Sequence, residues 1–420
     1  MKKRRYLYAS EAQFLGIKEI NTPQKGKKKS RYVISDEDYK KVIDIRTNGM
    51  KETPFDLTAW TEEGKIMTID EFCSFHGLNR GDIKNWRLCT HTKVPTYNIS
   101  FKENEDLDSG NAIATIEKTI ESVFKRNKGV KNIINRDSLK TNKKALKVTT
   151  SDDHVGLEPN PKGNGLFKYE YNAEVYKKSY NKVFQSVIKE YNTHGVFDLL
   201  LLDNLGDEQD GWNGFTTRGG HELPQNMTNA EVFETCVDVK VSFIRSLIES
   251  KVSKKIILRK VINDNHSGDF GHTINLTVKK IINLLYSEDV VKVETLSRFM
   301  EHRFYGDHCF ILTHGKDAKQ MFKGLPLQLN DKTINFVNDY IKFYDIKSKF
   351  IHVEKGDLHQ IGFNKCNNFD YRNFMSFAPP SSWVQHNFGD CYSGYSIQVI
   401  PKKDNEISHT DYFLNYRKKQ

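Results

Sequence analysis

The sequence predicts an α/β protein preceded by a small, mostly helical, basic region. Three observations carry this expectation. From Ala145 onward, apolar strand-like runs alternate with helix-length stretches, the pattern of parallel-sheet units. Five of those runs end in polar residues able to ligate a metal, and active sites of such sheets gather at the carboxyl ends of strands. Positive charge is concentrated before the alternation begins. Residues 1–146 hold 29 Lys and Arg against 20 Asp and Glu, so +9 of the chain's +10 lies there.

A length of 420 residues gives room for two or three domains, and 37% hydrophobic with 12% aromatic residues suffices for a core. Residues 1–100 are expected to form the basic region. Lys2 to Arg5 make a basic arm, and Lys25, Lys27, Lys28, Lys29 and Arg31 a second cluster that reads as a mobile loop. Ser35 to Asp38 would cap a short helix through Tyr39, Val42 and Ile43. Over 66–100, Thr68 and Glu71 form a capping box before the apolar positions Ile69, Phe72, Cys73 and Phe75. His76 to Asn79 then break the helix. A second helix is expected from Gly81 to Leu88, with Ile83 and Trp86 at i, i+3. This is a helix-turn-helix pattern, with Arg80, Lys84, Asn85 and Arg87 placed to contact phosphates and base edges. Residues 101–143 read as a polar linker holding a helix over 111–126 with Ile113, Ile116, Ile120 and Val123.

A basic appendage on a near-neutral body fits a nucleic-acid partner, most simply DNA, and the plainer alternative is a solubilising tail. The sequence has no apolar run of eighteen residues and no apolar stretch behind its basic start, so neither a membrane partner nor a signal peptide is expected. Its six cysteines form no Cys-x-x-Cys pair, which fits reduced thiols in a cytoplasmic protein.

The metal-competent residues follow in order. A strand through Thr150 ends at Asp152, Asp153 and His154, and alternation along an extended segment would turn Asp152 and His154 the same way. Val196–Leu202 leads to Gly206 and Asp207, and Lys255–Val261 to Asn265 and His266. Cys309–Thr313 leads to His314, and Phe350–Val353 to Asp357 and His359. Helices over about 171–191, 229–249 and 273–286 and a strand over 291–295 lie between them. Trp383 is expected in the core, and residues 401–420 as a basic tail after a domain spanning 144–400. Two cations held about 3.5–4 Å apart could clamp a phosphate between them.

The ordered series Asp-x-His, Gly-Asp, Asn-His, His-Gly and Gly-Asp-x-His, over about residues 145–365, resembles the calcineurin-like metallophosphoesterases. The branch it is most similar to is the DNA-repair nucleases and their phage relatives, and the Lys- and Asn-heavy composition fits a phage or bacterial origin. The resemblance implies a four-layer α-β-β-α sandwich with two divalent ions at the strand ends. One ion would take Asp152, His154, Asp207 and His359. The other would take Asp207 as a bridge with Asn265, His314 and Asp357, and His266 would be the general acid. Two positions depart from the family pattern: Ser267 stands where Asp or Glu is usual, and Asp357 where His is usual. The second departure makes that site harder, favouring manganese or magnesium, with iron, zinc or nickel open. The Gly-rich stretch 211–221 offers Arg218 and His221 to a phosphate, or is a plain surface loop. Asp153 and Asp210 are expected behind the ligands or in solvent, and Asp269, His272, His302, His308 and His386 as structural or exposed. The expected function is two-metal hydrolysis of DNA phosphodiesters. The alternatives are a phosphatase for protein or nucleotide monoesters and a non-catalytic scaffold. Oligomeric state is left open.

Overall fold

A computed structural model describes residues 138–418 apart from 162, 164, 390 and 405, and before them residues 2–7, 30–35, 67–75, 83–89, 96–101, 117–123, 125 and 136. The chain divides into two units, Met1–Ser109 and Gly110–Gln420.

In the first unit, β1 (Lys2–Leu7) pairs antiparallel with β2 (Ser30–Ser35), so the expected basic arm is a strand and Arg31 lies in its partner. The cluster Lys25 to Lys29 and the helix through Tyr39 lie outside the described residues. Helix α1 (Ile69–Phe75) starts with its capping box formed: Thr68 N donates to Glu71 Oε2 at 2.7 Å and Glu71 N to Thr68 Oγ1 at 3.2 Å.

The expected second helix is a strand. β3 (Ile83–Cys89) pairs antiparallel with β4 (Thr96–Phe101), opposing Ile83 to Phe101, Trp86 to Ile99 and Leu88 to Tyr97. The apolar spacing that resembles a helix face is matched by an alternating partner strand over 96–101, and cross-strand pairing overrides the local pattern. The helix-turn-helix expectation is therefore corrected. Lys84, Asn85 and Arg87 lie on a strand, and Arg80 lies outside the described residues.

The second unit begins inside the expected linker. Residues 117–123 are helical, Val123 is buried in the main core, and the Arg136 guanidinium donates to the carbonyls of Ser253 and Ile248 at 2.8 and 2.7 Å. There follow β5 (Lys144–Thr150), α2 (Ala173–His194), β6 (Phe197–Asn204), α3 (Asn229–Glu249), β7 (Ser253–Val261), α4 (Gly268–Leu285) and β8 (Val291–Leu296). Strands β5 to β8 are parallel neighbours joined by the three helices. Their near-continuous apolar runs, such as Leu199 to Leu202, suit strands covered on both faces. Then come β9 (Glu301–Tyr305), β10 (His308–Leu312), α5 (Asp331–Phe343), β11 (Phe350–Lys355), β12 (Gly362–Lys365), β13 (Asp370–Asn373), α6 (Ser382–Phe388), β14 (Ser393–Pro401) and β15 (Ser408–Leu414). One mixed sheet runs β15-β14-β5-β6-β7-β8 and the other β12-β13-β11-β10-β9.

Alternation along the strands sorts the core into layers. Leu200, Leu202 and Ile256 pack with Val237, Ile244 and Ile281 on the helix side of the larger sheet. Ala145, Val261, Phe310, Leu312 and Ile400 fill the space between the sheets. Cys309, Ile311, Ile351 and Val353 meet Val337 of α5 on the far face of the smaller sheet. The order is helices, sheet, sheet, helix, the four layers expected.

Two expectations near the C-terminus are corrected. The expected tail is not free over residues 408–416, because β15 is the edge strand beside β14, and Leu414 and Tyr416 are buried. Trp383 is 65% exposed, on a short helix whose buried residues are Val384 and Gln385. Among the described residues no helix is long and apolar enough to cross a membrane.

Candidate metal centre

The loops that leave β5, β6, β10 and β11 at their carboxyl ends lace into one another. Asp152 N donates to the Gly206 carbonyl at 3.0 Å, His154 N to that of Asp207 at 2.9 Å, and Gly356 N to that of His314 at 3.2 Å. This lacing holds Asp152 (φ 56°), His154 (φ 41°), Asp207 (φ 49°), Asp357 (φ 71°) and His359 (φ 54°) in the left-handed region. Non-glycine residues enter that region rarely and at a cost, and such outliers cluster at functional sites. Gly206 (φ 105°) has no room for a side chain, since a Cβ there would stand 2.9 Å from His314 Nδ1. Asp152 and His154 do converge, but through these two left-handed residues beyond the end of β5 rather than through strand alternation.

On one side, Asp152 Oδ1 lies 3.3 Å from His359 Nε2 and 3.9 Å from His154 Nε2, and the two Nε2 atoms are 3.2 Å apart. On the other, His314 Nε2 lies 3.1 Å from Asp207 Oδ2 and 3.0 Å from Asn265 Oδ1. Among the described residues, three triads have ligand atoms within 4.8 Å of one another: Asp152, His154 and His359; Asp152, Asp207 and His314; His154, Asp207 and His266. Both Asp152 and Asp207 are thus shared between triads.

Neighbours fix the rings. His154 Nδ1 meets Asp210 Oδ1 at 2.9 Å, and His314 Nδ1 meets the Leu205 carbonyl at 2.9 Å, so both rings turn Nε2 inward, as metal-binding imidazoles do. Asp210 stands behind the ligands as expected. So does Asp153, which accepts from the hydroxyls of Tyr176 and Tyr180 at 3.0 Å each and from Asn204 Nδ2 at 3.2 Å.

Burial alone would raise the carboxyl of Asp152, but His359 and His314 outweigh it and hold it at about 2. Asp207 behaves alike: burial opposes its ionisation, yet His314 and His266 keep it well below the usual carboxylate range. Burial would lower His314 and His266, but Asp207 raises them to about 10 and about 9. The centre therefore binds positive charge, as protons when nothing else is there. Asp152 Oδ1 is buried and has no hydrogen-bond partner, an oxygen aimed at the place where the imidazoles converge. Nitrogens bound at about 2.0–2.1 Å to one tetrahedral ion stand a little over 3 Å apart, close to the 3.2 Å between His154 and His359. These residues fit a divalent cation.

Other expected residues are placed differently. Asp357 is in none of the triads: its Oδ1 lies 3.7 Å from Lys316 Nζ, and its backbone N donates to Asp152 Oδ2 at 3.3 Å. His266 is part-exposed, with Nδ1 3.3 Å from Asp210 Oδ1 and Nε2 3.8 Å from Asp207 Oδ2. The Arg218 guanidinium is engaged by Asp317 Oδ1 at 3.0 Å and the Phe322 carbonyl at 3.3 Å, while its backbone N donates to the Asn265 carbonyl at 2.9 Å. Arg218 thus ties its loop to the site. His221 is exposed, its backbone N held by Thr216 Oγ1 at 2.9 Å.

Two lysines escaped the sequence reading, although each stands next to a metal motif. Lys316 follows His314 and Gly315. Lys355 precedes Gly356 and Asp357, is fully buried, and donates to the Gly356 carbonyl at 2.7 Å. Burial pushes its ammonium down to about 8, against the pull of Asp357 and Asp152.

No family model and no curated protein matches the chain. Solved structures do. A zinc-bound Vps29 from Entamoeba histolytica is similar at 11% identity and TM-score 0.29, covering 64% of this chain and 99% of its own. A novel archaeal phosphodiesterase is similar at 10% identity and TM-score 0.29, with the same coverage. A predicted phosphoesterase from Streptococcus pneumoniae is similar at 10% identity and TM-score 0.23, over 64% of this chain and 98% of its own.

Proposed function

We propose that this protein is a two-metal phosphoesterase that hydrolyses phosphodiester bonds, with DNA as the substrate class. The observation that carries the proposal is the convergence, at the strand ends of a two-sheet fold, of two His/Asp half-sites that share buried carboxylates. Asp152, His154 and His359 would hold one ion, and Asp207, His314 and Asn265 the other. Bound ions would supply charge stabilisation of the phosphate and an activated water. His266, which is part-exposed, would give a proton to the departing oxygen. Asp210 holds His154 Nδ1, which leaves Nε2 as the atom that would ligate an ion. The +9 excess of residues 1–146 supports a polyanionic substrate. With Lys84 and Arg87 on a strand, that support is electrostatic rather than the work of a recognition helix.

The test is metal-stripped protein reloaded with manganese, magnesium, iron, zinc or nickel and given labelled single- and double-stranded DNA, with fragments resolved on a gel. Metal-dependent shortening is expected. Turnover of p-nitrophenyl phosphate alone would make it a monoesterase, and no turnover with any ion would leave a scaffold.

A further inference from the structure

The stretch that follows Asp207 is a built surface rather than a slack loop. Trp212 and Phe215 exchange backbone hydrogen bonds, N to O, at 2.9 and 3.0 Å around Asn213 (φ 51°) and Gly214 (φ 76°). Two successive positive φ values between such partners make a type I′ turn, and Asn-Gly is the favoured sequence for it. Gly211 (φ 86°) must be glycine, because a Cβ would run into the Phe215 carbonyl. The turn is clamped from both sides. Asn213 N donates to Asn229 Oδ1 at 3.1 Å and Leu223 N to the Gly214 carbonyl at 2.6 Å. Beyond it, Thr217 Oγ1 donates to the His266 carbonyl at 2.8 Å and Arg218 N to that of Asn265 at 2.9 Å, joining the loop to the strand end that bears the expected general acid.

This rigid turn shows two aromatic rings to solvent. Trp212 is 46% exposed and Phe215 37%. The Trp212 ring is braced by Phe270, with centroids 4.6 Å apart and planes at 66°, and Phe270 itself packs against the main core. Trp212 lies two residues beyond Asp210, so its backbone is within about 7 Å of that of the residue that orients His154. A large, braced, half-open indole this close in sequence to a centre proposed to hold a phosphate is suited to stack a planar ring joined to that phosphate through a short linker, as a nucleobase is.

We propose that Trp212 is a stacking platform for an unpaired nucleobase next to the scissile phosphate. This rests on the phosphodiesterase reading and narrows its substrate to nucleoside phosphodiesters whose base is free to leave its neighbours. Phe215 extends the same apolar surface. Duplex DNA would have to fray to use it, whereas single strands would not.

Two substrates with one leaving group isolate the effect: thymidine 5′-(p-nitrophenyl phosphate) and methyl p-nitrophenyl phosphate. In Trp212→Ala, the ratio of their kcat/KM values should fall about tenfold, and Trp212→Phe should recover most of it. An unchanged ratio would overturn the proposal. A second measurement does not depend on turnover. Titrating a short oligo-dT into the protein should quench tryptophan fluorescence, and Trp212→Phe should remove most of that quench although three other tryptophans remain. A quench that survives Trp212→Phe, or no quench in the parent, would overturn stacking at Trp212. If neither ester is hydrolysed with any ion, the phosphodiesterase reading fails and the titration alone decides the platform. Thymidine monophosphate and oligo-dT, compared in that titration, distinguish a free nucleotide from a strand as the source of the base.

Discussion

On one side of the centre, Asp152, His154 and His359 bring three ligand atoms within 3.9 Å of one another. On the other, His314 meets Asp207 and Asn265 at 3.1 and 3.0 Å, but the fourth expected ligand, Asp357, faces Lys316. The first half is a closed set, with Asp210 fixing one of its imidazoles and a buried carboxylate oxygen turned toward the other two ligand atoms. The second half contributes one carboxylate, one imidazole and a neutral amide. An amide oxygen attracts a cation less than a carboxylate does, so the second half depends on Asp207 for its charge. Asp207 should therefore matter most of any residue in the centre, and Asp357 least.

Asp207→Asn tests the first part. The substitution removes the carboxylate in direct contact with His314, at 3.1 Å, which is also a member of the triad with His154 and His266. Loss of at least one metal equivalent and a rate fall of more than about 10³-fold are expected, because transition-state charge would lose an ion outright. Metal analysis and turnover on the same preparation check it. Two equivalents bound at full rate would show that Asp152, the other shared carboxylate, is the bridge.

His266→Asn comes next in size. As the general acid, His266 should contribute roughly 10²–10⁴-fold in the chemical step, with KM little changed and both metals kept. Hydrolysis of a p-nitrophenyl ester should suffer far less than that of DNA, since p-nitrophenolate leaves without help. His266 also belongs to a triad of possible ligands. Metal loss with equal slowing of both substrates would make it a ligand.

Proton linkage gives a milder effect and a definite sign. With no ion bound, Asp207 holds His314 and His266 protonated up to about 10 and about 9. Their raised values stabilise the metal-free fold fully below the unfolded imidazole value of about 6.5, and that contribution is lost as pH rises through 9 to 10. An ion that takes His314 must displace its proton. Manganese binding should therefore release protons at pH 7, and the rise in Tm on adding manganese should grow from pH 7 to pH 9. Calorimetry in two buffers of different ionisation enthalpy, with melting curves at each pH, measures both. A pH-independent shift in Tm would place the ion away from His314.

Much of this architecture was legible because the strand–helix alternation repeats locally, and because each ligand follows directly on a strand. Helix 229–249 was expected at its observed bounds, and the structure closes its start with a capping box between Thr228 and Glu231, a feature local in sequence. What could not be read depended on partners far away in sequence. Ile83 and Trp86 needed Phe101 and Ile99 to become a strand. The space between the sheets holds Lys147 against Glu354 at 2.5 Å and Arg259 against Asp203 at 2.6 Å, charges buried as pairs that no single segment announces. The position of Asp357 was hidden for the same reason: only the fold brings Lys316 beside it.

Asp357 gives the finest test, because its effect should be small. The Lys316–Asp357 contact is long, at 3.7 Å, and Lys316 is well exposed, so the pair is worth little, within about 1 kcal/mol or a factor of about five. If Asp357 serves Lys316 and not the second ion, Asp357→Asn should keep two metal equivalents, with the weaker dissociation constant within about fivefold of the parent. Lys316→Met should move that constant the other way, since it frees a carboxylate to turn toward His314 and removes a positive charge from the rim. Manganese titration of both variants, read by calorimetry, gives the two shifts. Opposite signs would confirm a half-site in which the carboxylate is held in reserve. Complete loss of the second ion in Asp357→Asn would mean instead that the carboxylate swings onto the metal, and the two halves would then be equally furnished.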